Sequence, residues 1–320
     1  MNVLEKWYSL LIFVSVVIGI GLGRYEVVKI NAEFFIVPFL VIMLYLTFLQ
    51  IPLGKIKQAF KNVTFTLTTI MMNFVWTPIL AWLLASVFLS EHPALWIGFI
   101  MLMVTPCTDW YLVFTGIAKG NTALSASILP VNLLLQILLL PVYLLLFTGT
   151  TGIVEMTVLV ESVFIVLFIP LVLSILTKTL FKNKERIKEK VAAIMSGLPI
   201  VFLNLAIVAM FAMHGQLLLD NIDLVWIITV PIALFFITNF IIAQRIGSFL
   251  RFSYEDRASF SLTTLARNSP IALAIAMTAF PDEPLVALTL VVGPLLELPI
   301  LVGITQLLLF FRGREAAFRD

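Results

Sequence analysis

A chain of 320 residues that is 61% hydrophobic and only 12% charged, with a mean hydropathy of +1.11, lies far outside soluble globular composition. It reads as a polytopic membrane protein. A net charge of +2 offers no basis for nucleic-acid binding, and a single cysteine excludes an intramolecular disulfide and a multi-thiolate metal cage.

Apolar runs of about 20 residues, the length a helix needs to cross a bilayer, recur along the chain. Ten are marked, at 7–23, 34–52, 64–89, 94–117, 122–147, 157–180, 192–213, 224–244, 258–280 and 285–311. No small-residue cleavage pattern follows the first, so it reads as a span and not as a signal peptide. The runs are long and continuous, not alternating with period two, which predicts an all-α bundle of ten transmembrane helices instead of a barrel. Short intervening loops leave no room for an attached soluble domain.

Loop charge alternates along the chain. Lys55, Lys57 and Lys61, Lys119, the run from Lys182 to Lys190, Arg245, Arg251 and Arg257, and Arg312, Arg314 and Arg319 all fall on one face of a ten-span bundle. Glu91, Asp220, Asp223, Asp282 and Glu283 fall on the other, with Arg24 and Lys29 against the trend. The positive-inside rule then predicts a cell-membrane protein with both termini cytoplasmic.

Five spans on either side of a loop near Gly149 to Glu155 give halves of opposite orientation, the arithmetic of an inverted repeat. The halves are 1–150 and 151–320. Pro106 and Pro270 are 164 residues apart, as are Pro130 and Pro294, so one shift superimposes spans four and five on spans nine and ten.

Two polar interruptions carry the chemistry. Thr105-Pro106-Cys107-Thr108-Asp109-Trp110 sits midway along span four, and Ala266-Arg267-Asn268-Ser269-Pro270 sits in span nine. Proline removes a backbone donor and clashes with the preceding turn, so Pro106 and Pro270 predict breaks near mid-membrane. Freed backbone groups are tolerated at that depth only inside protein or beside a wet cavity. Half-helices starting near Cys107 and Ser269 point their N–H groups at a common site, to which Thr105, Thr108, Asn268 and Ser269 add hydroxyls and amides. A pair of purely structural kinks is the alternative.

Arg267 is costly at the centre of a span and needs a partner, for which Asp109 and Glu297 are candidates. An Asp109–Arg267 salt bridge pinning the broken helices is the expected arrangement, with direct ligand contact as the other use of the arginine. Glu297, in Gly293-Pro294-Leu295-Leu296-Glu297-Leu298-Pro299, is a carboxylate in an apolar setting, which is how a proton carrier is made; permanent pairing with Arg267 is its structural counterpart. Asn132 and Gln136, one turn apart on span five, line the corresponding region of the first half or act as interhelical glue. Asn73, Asn204 and Asn239 serve either packing or a bundle-facing site. Cys107 is an inert small hydrophobe in isolation; at a half-helix N-terminus it becomes a soft ligand for a thiophilic solute. No GxxxxGK[ST] loop is present, which disfavours ATP-driven transport by this chain alone.

Pro106 to Trp110 followed by Gly116-Ile117-Ala118-Lys119-Gly120-Asn121, the run Leu129-Pro130-Val131-Asn132-Leu133-Leu134-Leu135-Gln136, Ala266 to Pro270, and Val292 to Pro299 together resemble the arsenite efflux permease branch of the bile acid/sodium symporter superfamily. The resemblance extends over nearly the whole chain. It implies a panel domain (spans 1, 2, 6 and 7), a core domain (spans 3–5 and 8–10) with crossed broken helices, and alternating access. It further implies export of arsenite or antimonite against protons, with Cys107, as metalloid ligand, and Glu297, as proton carrier, the key residues; Thr108, Asn132, Asn268 and Ser269 are expected, from their own placement at the breaks and on span five, as further binding residues. In the better-known members an arginine typically precedes this cysteine; here Pro106 does. A sodium-coupled symporter of an organic anion is the alternative, and a membrane sensor without turnover is disfavoured by the lack of an output domain. No cofactor and no nucleic acid is expected.

Overall fold

The computed structural model describes residues 8–51, 56–108, 110–148, 156–180, 197–220 and 222–317. Among these residues the regular elements are helices, and the sole extended pairing is an isolated antiparallel bridge between Pro106 and Arg267. In chain order, apart from the single turn Ile56–Ala59, the helices are α1 (Tyr8–Leu22), α2 (Glu26–Gln50), α3 (Val63–Phe88), α4 (Pro93–Met103), α5 (Trp110–Ile117) and α6 (Thr122–Thr148). There follow α7 (Met156–Val163 continuing into Ile169–Leu180), α8 (Leu198–Asp220), α9 (Ile222–Phe249), α10 (Tyr254–Leu265), α11 (Ser269–Ala279) and α12 (Pro284–Ala317). Seven of the described helices, α2, α3, α6, α7, α8, α9 and α12, are long and apolar enough to cross a membrane; α1, α4 and α11 are shorter apolar helices.

Local chemistry sets the helix starts. Asn62 and Asn121 accept the amides of Phe65 (3.1 Å) and Leu124 (3.0 Å) as N-caps of α3 and α6, and Ser253 accepts the Asp256 amide (3.1 Å) at α10. Pro93 and Pro284 open α4 and α12, where a missing N–H costs nothing. Prolines deeper in the rods are accommodated differently. Both α3 and α7 contain a π turn, Met72–Trp76 and Phe164–Phe168, and each ends two residues before a proline, Pro78 and Pro170. Pro78 cannot donate to Phe74 O, and the Tyr143 hydroxyl donates to that carbonyl at 2.5 Å.

A helix lies within each expected stretch, with two differences. Stretches four and nine are each two helices, α4 with α5 and α10 with α11. α2 starts at Glu26 and not at 34, because its first turns carry exposed Glu26, Lys29, Asn31 and Glu33, which an apolar-run criterion passes over. Residues 192–196 of the seventh stretch and the basic run from Lys182 to Lys190 lie outside the described residues.

Contacts group the chain into two compact units, Met1–Ile51, Thr148–Trp226 and Pro270–Leu295 in one, Pro52–Phe147, Ile227–Ser269 and Leu296–Asp320 in the other. In the first, α8 packs on α1 and α2, and α7 packs on α2. Small residues let α1 approach closely: a Cβ on Gly19 falls 2.6 Å from Phe211 Cβ and 2.7 Å from Val208 O. Polar ties reinforce the packing, with Ser15 Oγ donating to Asn204 Oδ1 (2.7 Å) and Lys178 Nζ to Phe48 O (2.8 Å) and Ile51 O (2.6 Å) at the end of α2. The second unit is cored by Phe65, Met72, Ile128, Val131, Ala243 and Phe260, with Phe65, Phe252 and Phe260 ring to ring. At its edge Tyr254 Oη donates to Ala118 O (2.8 Å), and the Asn121 side chain donates to Asp256 Oδ1 (2.9 Å), tying α5 and the start of α6 to α10.

Candidate functional site: paired helix breaks around Arg267

The site forms in the second unit, where the chain between α4 and α5 meets the chain between α10 and α11. Cys107 N–H donates to Ala266 O (2.9 Å), and Asn268 N–H donates to Thr105 O (2.7 Å), a reciprocal pair. The pairing and one hydroxyl together repair the defects that the two prolines leave. Pro106 has no N–H for Leu102 O four residues back, and the Thr105 hydroxyl donates there (3.0 Å) and to Met101 O (2.9 Å). Pro270 likewise has no N–H for Ala266 O, the carbonyl that Cys107 takes. Two prolines thus leave two carbonyls, and the opposite break or an adjacent hydroxyl answers each.

Arg267, 2% exposed, is the hub. Its Nε donates to Leu265 O (2.9 Å), Nη1 to Met103 O (2.8 Å), and Nη2 to Thr264 O and to Asn73 Oδ1 (3.3 Å). The guanidinium lies 5.4 Å from the centre of the Phe235 ring. Its backbone N–H donates to Glu297 Oε1 at 2.8 Å, so arginine and glutamate meet through the main chain of the break. Asp109 lies outside the described residues, and so does the Asp109–Arg267 bridge.

The sequence-derived site residues converge in part. Thr105, Cys107, Thr108, Arg267, Asn268 and Glu297 come together, all buried, and Asn268 Nδ2 donates to Thr108 Oγ1 (3.0 Å). The half-helix after the first break begins at Trp110, not near Cys107, because the Cys107 amide is drawn into the bridge; that amide and the Asn268 amide are therefore spent within the protein and not held out to a ligand. The second half-helix does begin at Ser269, with Pro270 in its first turn, where proline belongs. Pro106 thus sits within its break, whereas Pro270 lies just beyond the other.

Asn132 and Gln136 are fully buried on α6, and neither side-chain amide has a hydrogen-bond partner among the described residues. Native proteins rarely leave such groups without a partner, water or ligand. Asn132 stands ten residues into α6, as Asn73 stands ten residues into α3, and the starts of those helices share a cleft lined by Lys61, Asn62, Asn121, Ala123, Leu124 and Ser127. The other in-span asparagines divide: Asn204 ties α8 to α1, and Asn239 receives Trp76 Nε1 (2.9 Å) and donates to Thr264 O (3.1 Å). Sequence reasoning missed the arginine's main-chain partners, since any residue carries a carbonyl.

Long apolar helices interrupted by a buried, charged, hydrogen-bonded break define a multi-pass membrane protein of the transporter class. The chain belongs to the Sodium Bile acid symporter family, whose match covers residues 37–221. It is a transporter and not an enzyme. Among its relatives are the arsenical-resistance protein Acr3 of Corynebacterium glutamicum, 25% identical with 96% of this chain and 89% of the relative covered. The Acr3 of Alkaliphilus metalliredigens is 25% identical over 95% of this chain and 91% of its own length. An uncharacterised transporter of Synechocystis sp. is 27% identical, over 96% and 88% respectively.

Proposed function

We propose that the chain is a secondary active transporter that exports trivalent arsenite, or antimonite, in exchange for protons. The observation that carries this is the position of Cys107, the only cysteine, buried on the segment that pairs with Ala266 to Asn268 and adjoining a break whose amide meets Glu297. A thiol is the side chain that binds trivalent arsenic by exchange for a hydroxyl, and one thiol binds reversibly. Similarity to two arsenical-resistance proteins over most of the chain supports the solute. Thr108, Asn268, Ser269 and Asn132 supply hydroxyls and amides for the remaining oxygens of the solute. Glu297 carries the proton: when protonated it is a weaker acceptor for the Arg267 amide, so proton uptake loosens the break at the binding segment.

The fold we assign is ten spans in two inverted repeats, 1–150 and 151–320, with both termini cytoplasmic. Two helices broken at positions 164 residues apart in the repeat register, and breaks that bond reciprocally, support this. Panel spans 1, 2, 6 and 7 and core spans 3–5 and 8–10 move against each other in alternating access. In partial support, α1, α2, α7 and α8 group in one compact unit and α3 to α6, most of α9, and α10 in the other, while α11 and the first turns of α12 group with the former. Asp109 is assigned as a further partner holding Arg267.

Cys107→Ser tests the solute. In an arsenite-sensitive host lacking its own exporter, the variant should lose at least about tenfold of the resistance conferred by the wild type, which corresponds to about 1.4 kcal/mol of lost binding or more. Unchanged resistance at equal expression removes the thiol from the mechanism. The second reading, sodium-coupled uptake of an organic anion, draws on the family match; sodium-dependent uptake of a carboxylate solute into vesicles would favour it.

A further inference from the structure

Broken membrane helices expose carbonyls at the C-terminal ends of their first halves, where the helix dipole is negative, and those ends are where a coupling sodium ion is held in transporters built this way. In this chain they are already occupied. Met103 and Leu265 are the last residues of α4 and α10, and Thr264 is the penultimate residue of α10. The carbonyls of all three, with the Oδ1 of Asn73 from the π turn of α3, receive hydrogen bonds from one guanidinium. Four oxygens from three helices converge on a single positive charge that the chain itself supplies.

We propose that Arg267 is a tethered cation standing where a coupling sodium ion would stand, so that this transporter neither binds nor uses Na+. A hard cation needs several unshared oxygens around it, and the guanidinium takes both half-helix ends with directed donors that Na+ cannot displace without leaving the arginine buried and unpaired. A second positive charge in the same cage is repelled at close range in a low-dielectric setting. Being covalently attached, the arginine cannot be carried across, which leaves Glu297, bonded to the backbone of that same residue, as the exchangeable charge. The inference rests on the transport reading for its meaning, but not for its test.

The test is thermal unfolding of the purified full-length protein in detergent, in sodium chloride and in choline chloride at equal ionic strength. Wild type should unfold at the same temperature in both, within about 1 °C. Arg267→Gln leaves the carbonyls of both half-helices open; it should unfold on the order of 5–10 °C lower in choline and regain at least half of that loss in sodium, saturably. Sodium-specific stabilisation of the wild type overturns the proposal. So does an Arg267→Gln protein that sodium does not stabilise more than choline. Should that variant not be recovered, the wild-type titration decides alone. No solute enters the measurement, so failure of arsenite transport leaves this inference standing, and its own failure leaves arsenite export untouched.

Discussion

Thr105 shows how a single hydroxyl makes a break between apolar helices tolerable. It donates to the carbonyls of Met101 and Leu102, the second of which Pro106 deprives of its partner. Thr105→Val, close in shape but without the donor, should cost about 1–3 kcal/mol and lower the unfolding temperature by several degrees, whereas Thr105→Ser should be near neutral. A valine variant as stable as wild type would mean the carbonyls find another donor. Glu297 makes the complementary prediction about coupling. Glu297→Gln keeps an acceptor for the Arg267 amide and removes the exchangeable proton. Arsenite counterflow without a gradient should survive within about threefold, while accumulation driven by a pH gradient should fall at least about tenfold. Retained pH-driven accumulation would take the proton from Glu297.

At this scale the sequence was informative where chemistry is confined to a few residue types. Cys107, Glu297, Arg267 and Pro106 stood out because each is expensive or rare inside a span. The partners of Arg267 did not stand out, because Met103, Thr264 and Leu265 act through main-chain oxygens. Asn73 was visible as a polar residue in a span, but its link to Arg267 depends on a π turn that no apolar pattern announces.

Among the elements, apolar length identified the helices well, and polar interruptions identified the two that break. α5 starts at Trp110, beyond a segment whose Cys107 amide is held by the long-range bond to Ala266, a constraint that the local sequence does not announce. Close approach of α1 to α8 also escaped a reading by hydropathy, because glycine reads there as weakly apolar and not as absent bulk. Gly19→Leu drives a side chain into Phe211 and the Val208 carbonyl; it should destabilise the protein by about 2–4 kcal/mol and lower its unfolding temperature accordingly. Gly21→Leu, on the same helix with nothing within 4 Å of its added Cβ, serves as the control and should be near neutral. Equal stability of the two variants would contradict the packing described for this interface.

For the whole molecule, composition alone was sufficient for the class, while the division into compact units was beyond a linear reading. Each unit draws on three separate segments of the chain, so neither coincides with a contiguous half. Repeat and packing unit are different things: one describes how the chain is ordered, the other which surfaces it buries. The account makes transport depend on one thiol, one exchangeable carboxyl and one captive guanidinium, all buried in the same unit. Its most direct test is arsenite counterflow in proteoliposomes of the full-length protein, beside a panel of organic anions, with and without imposed proton and sodium gradients. The account predicts arsenite exchange that a proton gradient drives and a sodium gradient leaves unchanged; sodium-driven uptake of a carboxylate with no arsenite exchange would contradict it.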